Sequence, residues 1–262
     1  MPLVDPVTMP SAIAKSAAAQ AHAASSKVAS SASKDASPTT LLHPVQTKQT
    51  PVAQTARHAF PALVAALFVL RFRALVADPV STMASTLPLT AALQIGYAVL
   101  CLPVAGSSQS GAKAARKPRP GEKKREGAGP NPIATALLAL VLTLLVTPPL
   151  YAVTVLFGAP FLTHTAHTFL CAAHFAVLTL LPLFYVHGVD AAAWAAVGGC
   201  AAPLDETFGG LVGGVAGAWL GAVPIPLDWD RDWQRWPVTI LCGLYGGYVV
   251  GRVLGGTVAW GR

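Results

Sequence analysis

Three aspartates alternate along the stretch LDWDRDW, at Asp228, Asp230 and Asp232, and three histidines, His164, His167 and His174, sit close together upstream. Alternating carboxylates are the raw material of a calcium loop or of a general acid/base pair. Histidines that share one side of a helix are the raw material of a metal site. Neither chemistry is completed. A calcium loop of the EF-hand pattern starting at Asp228 requires glycine at its sixth position and glutamate at its twelfth, and the chain has Trp233 and Thr239 there. No nucleophile, phosphate cradle or cofactor motif accompanies the aspartates. No carboxylate shares the histidine run, so a polar packing seam or the capping of a helix end competes with a metal site for them. The four cysteines, Cys101, Cys171, Cys200 and Cys242, show no CxxC spacing and read as small apolar fillers. The expectation is no catalytic residue, no metal and no cofactor.

The elements that must position these residues follow from composition. Hydrophobic residues make up 53% of the 262 and charged ones 11%, with a mean hydropathy of +0.55. That is too little polar surface to cover a soluble core. Apolar runs of spanning length lie near 60–79, 84–104, 133–156, 161–184, 207–224 and 238–257. They are continuous rather than alternating, which excludes a transmembrane barrel. The fold class is therefore all-α: a polytopic membrane protein, a bundle of about six transmembrane helices. Residues 1–56, rich in Ala, Ser, Thr and Pro, are expected to form a disordered cytosolic tail. They lack the apolar segment of a secretory signal and, before Arg57, the arginines of a mitochondrial one. Residues 57–105 hold the first two helices, 106–132 a basic loop, and 133–262 the last four.

The net charge of +7 does not indicate nucleic acid. Lys113, Arg116, Lys117, Arg119, Lys123, Lys124 and Arg125, against Glu122 and Glu126, place +5 of it in the one loop between the second and third helices. Such a loop stays cytosolic, and an even number of helices then puts both termini in the cytosol. Arg57, Arg252 and Arg262 fit as further cytosolic charges. Arg71 and Arg73 fit poorly, inside or at the far end of the first helix, with Asp78 as the nearby counterion. The segment from His187 to Glu206, made polar by Asp190, Asp205 and Glu206, is expected on the membrane surface with Trp194 at headgroup level.

Two unbroken four-residue glycine ladders mark the last helices: Gly209, Gly213, Gly217 and Gly221, then Gly243, Gly247, Gly251 and Gly255. Gly210, Gly214 and Gly246 widen these faces. Positions four apart form one slowly winding stripe, and a stripe without side chains lets another backbone approach closely. Either the two helices pack on each other, or one ladder docks a helix of a different protein. Spacing alone leaves both readings open.

Between the ladders lies the stretch GAWLGAVPIPLDWDRDWQRWP, from Gly217 to Pro237. It gathers five charges and four of the six tryptophans. Pro224 and Pro226 stop the fifth helix. The indoles suit the bilayer interface. The stretch reads either as an interfacial turn or as a docking surface, for which Trp and Arg are favoured anchors.

This stretch, followed by a glycine-laddered helix, resembles the C-terminal signature of the PIG-F family, polytopic endoplasmic-reticulum proteins of glycosylphosphatidylinositol (GPI) anchor synthesis. FGAPFLTHTAHTFLCAAHFAVLTLLPLFYVHG, from Phe157 to Gly188, is similar to the family's middle helices. The resemblance covers roughly the last 110 residues; before them it is one of topology. There are departures: the family usually has a proline where this chain has Asp232, and often an acidic residue at the position of His167. The resemblance implies a non-catalytic subunit that binds and stabilises large catalytic GPI ethanolamine-phosphate transferases in the endoplasmic-reticulum membrane. Their lumenal domains transfer phosphoethanolamine onto GPI mannoses. On that reading the partner-facing motif is Trp219, Pro224, Pro226, Asp228, Trp229, Asp230, Arg231, Trp233, Gln234 and Trp236. The other partners are membrane lipids. The alternative is a small polytopic lipid-handling enzyme, transporter or scramblase. Against it stand the missing Ser-Gly-His element and the absence of an internal repeat.

Overall fold

The computed structural model describes residues 42–107, 130–227 and 229–258. The expectations for the first 41 residues, for most of the basic loop and for Asp228 lie outside the described residues.

Every long element among the described residues is helical. The helix starts follow from local chemistry. Helix α1 (Pro51–Ala77) begins with Pro51 in the first turn behind Thr50, whose side chain accepts from the Ala53 amide. Proline suits this position because its missing N–H would have had no partner. Helix α2 (Pro79–Cys101) repeats the device after a one-residue connection. Asp78 ends α1 with its amide on the Ala74 carbonyl and starts α2 by accepting from Ser81. Helix α3 (Pro132–Leu156) starts on Asn131 in the same way.

Next, α4 (Thr165–Phe175) runs through a π turn (Ala176–Leu180) into α5 (Leu181–His187), giving one continuous apolar span. The reason for the turn can be read at Pro182, which has no N–H to offer the Leu178 carbonyl four residues before it. The Gln94 side-chain amide of α2 donates to that carbonyl instead, at 2.7 Å. A short helix, α6 (Ala191–Gly198), leads to α7 (Glu206–Ala222) and α8 (Val238–Val258).

Five of these spans are long and apolar enough to cross a membrane. The sixth expected span is α7, which stops at 17 residues because Asp205 caps its start and Pro224 follows its end. At ~1.5 Å per residue it reaches about 26 Å, near the lower limit of a span. The outer faces match a lipid solvent, with Leu70 of α1 and Leu138, Val141 and Leu145 of α3 all exposed. The interior is apolar for the most part and carries a buried polar seam. Thr82, Thr86, Thr90 and Gln94 form a buried four-residue stripe on α2. It meets Tyr245 and Tyr248 of α8, with Thr90 Oγ1 2.9 Å from the Tyr245 hydroxyl and Gln94 Nε2 donating to Tyr248 at 2.9 Å.

Two expectations are corrected here. The tail boundary at residue 56 falls inside α1, and the chain before α1 is an extended strap packed on the bundle from Leu42. Lys48 donates its amide to the Cys101 carbonyl at 2.8 Å and its ammonium to the Val99 carbonyl at 2.7 Å, satisfying the open C-terminal carbonyls of α2. The Val45 amide donates to Asp205 at 2.9 Å. Arg71 does not use Asp78. It donates to the Ser85 and Thr86 hydroxyls of α2, because Asp78 is committed to the cap between the two helices.

Candidate functional site

The loop between α7 and α8 is built on the two glycine ladders, which face each other. A Cβ at Gly213 would lie on the Gly247 carbonyl oxygen and 2.7 Å from the Gly251 Cα. One at Gly217 would meet the Gly243 carbonyl oxygen and, at 2.8 Å, the Gly247 Cα. Gly209 meets Gly251 and Gly255 in the same way, and Gly221 meets the Thr239 carbonyl and Ile240 at the base of the loop. The helices are antiparallel and touch backbone to backbone along their length. This geometry allows Cα–H···O contacts, and no third helix has room to enter. The widening glycines differ: Gly210 faces the Tyr248 ring, Gly214 faces Thr179 of the π turn, and Gly246 has open space.

Above this stem the chain turns through 223–227, where Pro224 and Pro226 lie, and enters a 3-10 turn, Asp232–Gln234. Gln234 organises the loop. Its Nε2 donates to the Pro224 carbonyl at 2.9 Å and to the Leu227 carbonyl, while its Oε1 accepts from the Arg231 amide at 3.2 Å. Both strands of the loop are thereby held by one side chain. Trp236 anchors it to the bundle through its indole N–H on Thr168 Oγ1 of α4, at 3.0 Å. Trp229 and Trp233 meet edge to face at 5.7 Å. Asp230, at a left-handed φ of 47°, is exposed together with Arg231. Trp219 (72% exposed) and Trp229 (54%) project outward. The Arg235–Asp232 ion pair at 2.6 Å is exposed on both sides and contributes ~0–1 kcal/mol. The loop thus presents the Trp229 indole and the Arg231 guanidinium on a clasped frame, and the last turns of α7 add the Trp219 indole.

Replacing Gln234 with alanine is expected to loosen the loop and leave the bundle intact. Each lost bond contributes ~1 kcal/mol. Amide exchange at 229–236 should accelerate roughly tenfold while the global unfolding midpoint stays within a degree or two. Unchanged exchange would show that the clasp is not what orders the loop.

The histidines separate. His164 precedes α4 and, with the partly exposed His167, forms a ring pair at 5.0 Å. His174 is buried, and its two ring nitrogens contact the Tyr245 hydroxyl at 2.8 Å and the Met83 carbonyl at 3.1 Å. It belongs to the polar seam.

Sequence reasoning missed one constellation. Glu206, expected on a surface connector, is 8% exposed and lies between two arginines. It accepts from Arg57 of α1 through one oxygen and from Arg252 of α8 through the other, the latter at 2.9 Å. Tyr97 of α2 adds a hydroxyl donor at 2.8 Å. The Arg252 guanidinium also lies 3.8 Å from the Tyr97 ring centre and 4.6 Å from that of Phe60. Arg57 and Arg252 are therefore interior charges and not solvated markers of topology. The readable signal was Arg252, the one arginine inside the last apolar run, which requires a counterion.

Comparison with known proteins follows the same lines. The family model described as GPI biosynthesis protein family Pig-F matches residues 59–256. The chain is 65% identical to the glycosylphosphatidylinositol anchor biosynthesis protein 11 of Neurospora crassa, over 100% of this chain and 99% of that protein. It is 44% identical to the protein of the same name from Aspergillus fumigatus, over 80% and 82%. It is 32% identical to the mouse protein named GPI ethanolamine phosphate transferase, stabilizing subunit, over 52% and 64%. No solved structure matches.

Proposed function

This chain belongs to the GPI biosynthesis protein family Pig-F, and we propose that it serves as a non-catalytic membrane subunit of GPI ethanolamine-phosphate transferases. It supports transfer of phosphoethanolamine to GPI mannoses, with the chemistry in a large partner chain. The printed name of the mouse relative supports this reading. The observation that carries it is the clasped α7–α8 loop with Trp229 and Arg231 exposed, beside the exposed Trp219 near the end of α7. Aromatic and arginine side chains on a rigid frame are what a protein partner uses as anchors, and among the described residues no group of His, Cys, Asp or Glu is placed to hold a metal. The segments at that end of the bundle, 157–164 and 223–237, are too short to form a domain carrying a metal-activated nucleophile.

The glycine ladders are occupied by one another, so the partner engages the loop and the outer face of α7 that continues from it. The protein resides in the endoplasmic-reticulum membrane, with both termini in the cytosol and the α7–α8 loop in the lumen.

Depletion of the protein in its own cells, followed by profiling of mannose-labelled GPI precursors, tests the reading. Mannosylated precursors lacking ethanolamine phosphate on the outer mannoses should accumulate, and a normal profile overturns it. At the residue level, the combined Trp219→Ala and Arg231→Ala variant should lower recovery of the catalytic partner at least ~10-fold, since anchors of this kind contribute ~2 kcal/mol or more each. The amount of the chain itself should be unchanged. Undiminished recovery would remove the loop from the interface.

A further inference from the structure

Two charges near the loop end of α1 have no part in the proposed function. Arg73 is exposed and Arg71 half-buried, and they follow Val69 and Leu70, which face outward into lipid. No carboxylate among the described residues forms an ion pair with either. Arg71 donates from Nε to Thr86 Oγ1 at 3.2 Å and from Nη2 to Ser85 Oγ. These hydroxyls orient the guanidinium but carry no charge to offset it. Among the described residues nothing accepts from its Nη1 amine. A cation at such a level requires a counterion.

The usual escape for arginine is to stretch its head outward to the membrane surface. The geometry of α1 opposes it. Arg71 lies six residues before the end of α1, and Ser85 six residues after the start of α2. At ~1.5 Å per residue both are roughly 9 Å inside their helix ends, so the side chain runs sideways and not outward. Helical side chains also lean toward the N-terminus, which for Arg71 is toward the membrane centre. The membrane surface must therefore come to the arginine. Two helices packed on α8 agree. Helices α1 and α7 are in register at their other end, where Arg57 meets Glu206. From that level α7 extends about 26 Å, and α1 reaches Arg71 after roughly 21 Å. Both fall short of the ~30 Å hydrocarbon core. Helix α3, at 25 residues, is about 38 Å long and exposes apolar side chains from Ile133 to Leu156. A bilayer meets such a mismatch by thinning locally.

The void beneath Arg71, which reaches the buried His174, holds about 20 Å³. That is room for one water and not for a phosphate, so an anion approaches from the lipid side. Forked guanidinium donors match phosphate oxygens, and Val69 and Leu70 lie below as acyl-chain contacts. We infer that Arg71 binds the phosphate of a phospholipid from the leaflet on the α7–α8 loop side, in a bilayer thinned beside α1. The assignment rests on the membrane fold and not on the partner-facing loop.

The test uses the full chain with native mass spectrometry, at graded concentrations of phosphatidylcholine, a galactosyl diacylglycerol of the same acyl length, or inorganic phosphate. The expected result is one retained phosphatidylcholine per chain, with binding at least ~10-fold weaker in Arg71→Leu and largely restored in Arg71→Lys. Unchanged tryptophan emission in both variants confirms the fold. In vesicles of short-, medium- and long-chain phosphatidylcholine, the unfolding midpoint of the wild type should be highest in the short chains. The combined Arg71→Leu and Arg73→Leu variant should shift that optimum to longer chains. Equal retention of the phosphate-free lipid, equal retention by Arg71→Leu, or an optimum that does not move would each overturn the assignment. Displacement of the lipid by inorganic phosphate at similar concentration would overturn it in favour of a free phosphate site. Retention of no lipid at all would overturn it in favour of a carboxylate from another chain.

Discussion

Leucine at Gly217 is expected to separate the last two helices and destabilise the chain by ~3 kcal/mol or more. Overpacking in a fitted core costs ~1–3 kcal/mol when neighbours can shift. Here the neighbours are the Gly243 carbonyl and the Gly247 Cα, backbone atoms that move only if a whole helix moves. The Cα–H···O contacts on the neighbouring rungs would open together with the clash. Leucine at Gly246 supplies the control, because a Cβ there meets nothing within 4 Å and the side chain would enter lipid. Thermal unfolding in detergent should distinguish the two variants by several degrees. Equal loss in both would mean that the ladders tolerate side chains and that the close approach does not hold the pair together.

The second large effect belongs to Glu206→Gln. The substitution leaves two guanidiniums in the interior without the carboxylate they share, and removing one partner of a buried ion pair costs ~3–5 kcal/mol. Adding Arg57→Met should recover part of the loss, because Arg252 keeps its position over the Tyr97 and Phe60 rings. The two substitutions are therefore strongly non-additive, and a double-mutant cycle should yield a coupling of ~1–3 kcal/mol. Additive losses would mean that each arginine is held by its own surroundings and that Glu206 is not the hub.

The bundle was legible because lipid imposes length and continuity on every span. The starts at Pro51 and Pro79, each behind a capping side chain, lie ahead of the apolar runs that begin near 60 and 84, because hydropathy does not register a cap; only Pro132 coincides with the start of its run. The ladder spacing announced a close backbone approach, but a stripe of glycine has no direction, and only the fold shows which helix each ladder meets. Glu206 was illegible for a different reason. It follows Pro203 and Asp205 in a polar connector, so its local context says surface, while its partners Arg57 and Arg252 lie 149 and 46 residues away. The Gln94 bond to Leu178 was half legible: Pro182 declares a missing donor, and nothing near it names the replacement. Gln234 was visible only as one of ten residues in a motif, because its role depends on the path of the loop and not on its spacing.

The stem beneath the α7–α8 loop has a consequence for how recognition and folding are divided. With Gly221 against Thr239 and Ile240, the ends of the loop are fixed a backbone's width apart before any loop residue forms a bond. The entropy of closing such a loop depends only weakly on its length, and here closure is secured by helices that include neither Trp229 nor Arg231. The outward-facing positions are thus thermodynamically uncoupled from the bundle. A chain built this way can exchange its surface vocabulary, lengthening or rewriting the loop to suit a different companion, with the membrane fold acting as an invariant socket.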